Sequence, residues 1–518
     1  MLTGEWVSPA RPRPPLVIGL DAGTTGCRAV VFDRTGAIVG EAAEEYPMSI
    51  PHPGWAEQDP ETIYRAVLAS LQRAINSARI HPRNVSAIGL SSVLHSLIPI
   101  GEDGQALAPA LIWADTRSAP QARRIRAKHD AQALYRRTGC PVHPMYPLAK
   151  LVWLQENAPD IWHRSTRFVS IKEYLIYRLC GEYLLDLSIA SGTGLLNLAL
   201  RDWDDEALRI AGVERECLSP IVEPTTILPP LRPEAATEAG LLTGTPVVAG
   251  AADGVLSSLG IGTLGPGEMS AMIGTSGACR IVSDSPRTDP QARTWCYYLA
   301  QGKWVIGGAI NNAGLAYRWV RDSFFDDGAR GEDGYTRLNQ LAADTNAGAD
   351  GLIFLPFLTG ERAPYWNVDA RGVLLGLNLR HTRRHLARAA MEGVCYRMYS
   401  VYRAIDEVAG PVTEVRATGG FTRSDLWVQI MADVFGQPLL VPAVREASSL
   451  GAAVLAWIAL GELKQLDEAK SLVQIRSIFE PQPDRNKKYA RLFDLYMKAY
   501  WALQEVFQEI AEVQREWG

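Results

Sequence analysis

Two short segments of this chain, Gly23-Thr-Thr-Gly-Cys-Arg28 and Gly274-Thr-Ser-Gly-Ala-Cys-Arg280, differ by one inserted residue and a Thr/Ser exchange. Each lies between apolar runs. Leu16 to Leu20 precedes the first and Arg28 to Phe32 follows it; Gly267 to Ile273 precedes the second and Cys279 to Val282 follows it. Runs of this length bounded by turn residues read as buried strands. Each segment therefore predicts a strand–turn–strand hairpin, and the turn at 33–36 with Ala37 to Val39 extends the first into an antiparallel meander. Helical spacing over 60–79 (Ile63, Val67, Leu71, Ala74) follows, with Asp59 as N-cap and Pro60 at the first helical position. Val85 to Leu90 is then a strand. The second half repeats the order, with a helix over 384–408 and a strand from Val412 to Ala417. Matching turns inside matching orders of elements point to a duplication and two α/β domains, as a length of 518 residues also demands.

Composition limits what such a chain can bind. Apolar residues make up 47%, charged residues 21%, and the net charge is -5. Nothing here suggests the basic surface that nucleic acid or an anionic membrane requires. The seven cysteines, at 27, 140, 180, 217, 279, 296 and 395, form no Cys-x-x-Cys pair. Reduced thiols in a cytoplasmic protein are the expectation, not disulfides or zinc. Residues 1–15, rich in proline and arginine, read as a flexible leader. The apolar stretch from Leu450 to Leu460 is too short for a bilayer, which needs ~20 residues, and reads as a buried helix.

Several positions carry chemistry. A glycine-threonine turn between strands lets backbone N–H groups converge without a side chain in the way, and such nests bind anions. This makes Gly23, Thr24, Thr25, Gly274 and Thr275 candidate phosphate ligands. Asp21 ends the first strand, where a carboxylate beside a phosphate nest requires a divalent ion between them. The turn is not a P-loop. Gly419 and Gly420, with Ser424, form a strand–helix turn open to a flat ligand. Asp253, amid the small residues 250–254, is a mid-chain carboxylate placed to act as a base for a hydroxyl. His95 lies at a strand's carboxyl end. Trp113, Asp115 and Arg117 combine an aromatic wall, a carboxylate and a guanidinium, a mixture suited to a polyhydroxy ligand.

Two longer patterns resemble those of the FGGY carbohydrate kinases: 145–157, which includes Lys150, Trp153 and Asn157, and Gly372-Val-Leu-Leu-Gly-Leu377 followed by 385–392. The resemblance runs from Val17 to Met497. It implies two ribonuclease-H-like domains of the actin/Hsp70-like ATPase kind around a central cleft. The expected division is a leader over 1–15, an N-terminal domain over 16–252 with the substrate site and first phosphate loop, and a C-terminal domain over 253–518 with the nucleotide site.

Within the family, the segments 91–97, 113–118, 138–145 and 188–194 are most similar to those of gluconate kinases. The resemblance implies an ATP-dependent phosphotransferase that uses Mg2+ and phosphorylates D-gluconate at its 6-hydroxyl. Asp253 falls on the catalytic base and Asp21 on the Mg2+ carboxylate. Thr24, Thr25, Arg28 and Thr275 fall on phosphate positions, and Gly314, Arg318, Gly420 and Ser424 on nucleotide positions. His95, Asp115 and Met145 fall on substrate positions, and Arg117, His95, His143 and Lys150 are candidates for the substrate carboxylate. Leu94 and Gly192 depart from the residues common in relatives, near the expected substrate site. The alternatives are a kinase of xylulose, a tetritol or another sugar acid, and a non-kinase ATPase sensor on the same fold. The expected partner is a small sugar or sugar acid; a homodimer is one assembly such a chain can form. The excursion at 320–350, with Asp326-Asp327 and Glu332-Asp333, carries no assignable chemistry.

Overall fold

The computed structural model describes residues 13–325 and 332–517. Most of the expected leader, and Asp326-Asp327 of the excursion, lie outside the described residues; the excursion is otherwise built on helices Gly314–Phe324 and Glu332–Ala343.

The first sheet has five strands. β1 (Leu16–Ala22), β2 (Gly26–Phe32) and β3 (Ile38–Glu45) form the antiparallel meander, while β4 (Val85–Ser92) and β5 (Val247–Ala252) add parallel to β1 in the spatial order β5-β4-β1-β2-β3. Side chains alternate as the strand period demands. Val17 and Val30 face the core shared with the second half, and Ile18, Leu20 and Val31 face the opposite layer under α1 (Pro60–Ala78). The Asp59 carboxylate caps α1 by accepting from the N–H groups of Glu61 and Thr62, and proline occupies the position whose N–H would have had no partner.

The second sheet repeats the plan. β6 (Glu268–Ile273), β7 (Gly277–Ser283) and β9 (Lys303–Ile310) are antiparallel, and β10 (Glu414–Thr418) and β11 (Leu439–Pro442) add parallel to β6. Edge strands β8 (Trp295–Ala300) and β12 (Ile475–Phe479) widen it to seven. The matched five-strand cores are those of the duplicated ribonuclease-H-like fold of actin-like ATPases.

Two helices join the halves. α2 (Asp253–Gly260) leaves β5 directly, and the apolar stretch near 450 forms α6 (Ala447–Ala459), whose residues 449–457 are buried. α6 lies on the first sheet although it belongs to the second half of the sequence. Close approach depends on glycine: a Cβ at Gly19 would stand 1.9 Å from Ser449 O, and one at Gly89 2.1 Å from Ala452 O. All seven cysteines are unpaired. Among the described residues no helix is long and apolar enough to cross a membrane.

Candidate active site

Both hairpin turns open toward the space between the sheets. In the first, Gly23 N–H donates to Gly26 O at 3.0 Å, while Tyr46 Oη and Gln58 Nε2 hold the carbonyls of Gly23 and Thr24, each at 2.7 Å. In the second, Gly314 N and Leu315 N donate to the carbonyls of Gly274 and Thr275 at 2.9 and 3.0 Å. The N-terminus of α3 (Gly314–Phe324) thus abuts this turn and adds the positive end of its dipole.

One cavity of about 280 Å³ lies on the second half. It brings together Gly274, Thr275, Gly314, Arg318, Gly420 and Ser424 with the aromatic rings of Tyr317 and Trp427. Gly419 stands behind it at φ +98, where a Cβ would meet Ile273 O at 2.4 Å. The turn after β10 is a short 3-10 helix, Gly420–Arg423, followed by α5 (Asp425–Phe435), which Ser424 caps.

A second cavity, of about 190 Å³, lies between the halves and is lined by Thr24, His95, Trp113, Met145 and Asp253 together with Arg280, Tyr297 and Arg362. Asp253 opens α2 at the carboxyl end of β5. Burial, and then the charge of Asp21, push its carboxyl up to about 7. Asp21 accepts a 2.6 Å hydrogen bond from Ser91 Oγ, and burial raises its carboxyl too. Arg28 stands opposite Asp21 in the ladder and pairs with Glu446.

His95 is buried at φ +67, a backbone conformation uncommon outside glycine. Its Nδ1 lies 2.6 Å from Gly192 O. A carbonyl only accepts, so Nδ1 carries the proton and Nε2 is an acceptor. Burial pushes its pKa down to about 3, so the ring is neutral. The two departures noted in the sequence touch here: a Cβ on Gly192 would lie 2.6 Å from Leu94 Cδ2 and 3.3 Å from His95 Cε1. Glycine at 192 makes room for leucine at 94.

Four other expected substrate residues stand outside this lining. Asp115 accepts from Ala56 N at 2.7 Å and pairs with Arg117, which also reaches Glu57 at 2.7 Å. The Arg117 guanidinium lies in the corner made by the perpendicular rings of Trp55 and Trp153, 3.6 and 5.0 Å from their centres. Lys150 donates to the carbonyls of His95, Leu111 and Ile112. His143 is buried, accepts from Met145 N at 3.2 Å, and is held neutral by burial. Sequence reasoning overlooked Arg280 and Arg362 as site residues. Arg280 stood inside the repeat itself. Arg362, in Gly360-Glu-Arg-Ala-Pro364, offers no spacing signal.

Two duplicated sheets with matching Gly-Thr turns, a cavity beside the second turn and a neighbouring polar cavity that holds the Asp253 carboxylate are the arrangement of a phosphotransferase with an alcohol acceptor. Residues 16–260 match the N-terminal domain of the FGGY family of carbohydrate kinases and residues 269–460 match its C-terminal domain. The chain belongs to that family, whose members use ATP as the phosphate donor. A gluconokinase of Bacillus subtilis is 41% identical over 506 residues, covering 96% of this chain and 98% of that one. The crystal structure of a gluconate kinase from Lactobacillus acidophilus superposes with a TM-score of 0.90 at 33% identity, covering 96% and 99% of the two chains. A ligand-bound xylulose kinase from the same organism superposes equally well, at 0.90 and 34% identity with the same coverage.

Proposed function

We propose that this chain transfers the γ-phosphoryl group of ATP to the 6-hydroxyl of D-gluconate, with Asp253 as the general base. The observation that carries the reaction is the position of Asp253. It is a carboxylate pushed up to about 7, lining the same cavity as Thr24 and His95. A base is most effective when its pKa lies near the working pH. Asp253 takes the hydroxyl proton as the oxygen attacks phosphorus. The N–H groups of both turns hold the phosphate oxygens. His95 Nε2 accepts a hydrogen bond from a substrate hydroxyl. Little covalent work is asked of the protein beyond this positioning. The likeness to gluconokinases over nearly the whole chain supports gluconate as acceptor.

Asp21 suits Mg2+. Burial raises both carboxyls and the charge of Asp21 raises Asp253 further, against Arg28 and Lys172 near the one and Arg280 and Lys172 near the other, and a pair of buried carboxylates facing incoming phosphate oxygens favours a bound cation. Among the described residues no group of three or more His, Cys, Asp or Glu could hold a metal. Phosphate oxygens and water would complete the shell, as Mg2+ prefers. Bound there, the ion would neutralise phosphate charge.

A panel of D-gluconate, xylulose, a tetritol and glycerol with coupled ADP detection tests the acceptor. Gluconate should lead in kcat/KM by tenfold or more, as hydrogen bonding to one charged group allows. A higher value for xylulose, the sugar named for the superposed xylulose kinase, would replace the acid reading.

A further inference from the structure

A substrate carboxylate taken out of bulk water into a cavity needs a cationic partner, and the four cations suggested by the sequence are spoken for. His95 and His143 are neutral. Arg117 is paired with Asp115 and Glu57. Lys150 spends its N–H groups on three backbone carbonyls.

Two buried guanidinium groups in the cavity are not. Arg280 has no partner for Nε or Nη1. Arg362 is 8% exposed, has no partner for Nε, and its guanidinium makes a single hydrogen bond, Nη2 to Ile310 O at 3.3 Å. The charge of its neighbour Glu361 is felt by Arg362, but the two side chains form no ion pair. That carboxylate accepts from Asn311 N and Arg362 N at 2.7 and 2.8 Å and pairs with Arg397 at 3.3 Å.

The two arginines are near enough for the charge of Arg362 to act on Arg280, but Arg280 is the one whose charge acts on Asp253. The charges felt by Asp253 are those of Asp21, Arg280 and Lys172, and a Cβ on Gly254 would lie 2.9 Å from Arg280 Nη2. Arg362 lies over the Trp113 ring at 4.7 Å, and its charge is felt by His95 and His143. In an open-chain hexonate phosphorylated at the terminal hydroxyl, the carboxylate is the atom group farthest from the base. We propose that Arg362 receives the substrate's carboxylate, so that the cavity selects polyhydroxy acids over the corresponding alditols, an inference that rests on the sugar-acid reading above. The planar fork of a guanidinium matches a carboxylate at two atoms, and the Trp113 face holds it flat.

The test compares D-gluconate with D-glucitol, in which CH2OH replaces the carboxylate, for the wild type, Arg362→Met and Arg362→Lys. For Arg362→Met, gluconate kcat/KM should fall by about 10²–10³-fold, mostly through KM, as for the loss of one partner of a buried charge pair. The glucitol value should change by only about threefold, the size of a lost neutral contact. Arg362→Lys should keep part of the preference. Equal losses on both substrates, or an unchanged preference in Arg362→Met, would overturn the assignment. If Arg362→Met does not fold, Arg362→Gln serves the same comparison. A wild-type protein that prefers a neutral sugar to every acid would instead refute the sugar-acid reading itself.

Discussion

The indole N–H of Trp113 donates a 2.9 Å hydrogen bond to Thr24 Oγ1, so the wall of the cavity between the halves is tied directly to the first Gly-Thr turn. Replacing Trp113 by Phe keeps an aromatic face beneath Arg362 and removes the N–H. We expect kcat to fall about fivefold, the equivalent of one hydrogen bond of roughly 1 kcal/mol, with the circular dichroism spectrum unchanged. A wild-type kcat would show that the bond does not position Thr24.

Asp253→Asn should lower kcat by about 10²–10⁴-fold while ATP still binds, since only the proton acceptor is removed. The same variant has a pH signature in stability. The Asp253 carboxyl sits at about 7 in the folded protein against 3.8 as its ordinary value. Between those pH values the unfolded chain has released the proton and the folded chain has not. The stability contribution is therefore complete below about pH 4 and is lost as pH rises through about 7. Asparagine escapes this loss. In chelator, Asp253→Asn should melt a few degrees above the wild type at pH 8, with the gap closing toward pH 4; a pH-independent gap would argue against the raised carboxyl.

At Gly314 a Cβ would stand 2.4 Å from Gly274 O, the carbonyl that Gly314 N–H itself engages. Alanine there must displace the second phosphate turn or the start of α3. Overpacking costs of about 1–3 kcal/mol should appear as a KM for ATP raised about tenfold or more, with the acid KM nearly constant. Titration of both substrates decides this, and an unaltered ATP KM would remove the turn from the nucleotide site.

Lys150 supports the fold around the site. Its Nζ holds the carbonyls of His95 and Ile112 at 2.6 and 2.7 Å, and burial pushes its pKa down to about 7. Lys150→Met strands those carbonyls and should destabilise the protein by about 2–4 kcal/mol in urea melts. Its effect on the gluconate KM should be far smaller than that of Arg362→Met. The reverse pattern, normal stability with a large rise in KM, would return Lys150 to the binding site.

Local signals located the elements well. Asp59 and Pro60 mark the start of α1 because capping chemistry acts within one turn, and the expected helix over 384–408 is α4 (Arg383–Ala409) in the structure. Strand ends were less legible: β3 runs to Glu45 and β4 to Ser92, beyond the apolar runs that announced them, because pairing with a neighbouring strand does not require apolar side chains.

The sequence by itself determined the duplicated plan, the two Gly-Thr turns and the carboxylate amid the small residues 250–254, since each depends on residues adjacent in the chain. Tertiary structure decided the rest. Arg28 and Arg280 look equivalent in the repeat. The ladder sets Arg28 opposite Asp21 and Arg280 opposite Ser270, further from its turn, and of the two Arg280 lines the cavity between the halves. Arg117 and Lys150 looked available until folding surrounded them with Asp115, Glu57 and three carbonyls. Arg362 acquired its place from Trp113 and Glu361–Arg397, which no local spacing connects. A cation's availability depends on which charges and dipoles the fold brings within a few ångströms, and that is a property of the packed chain.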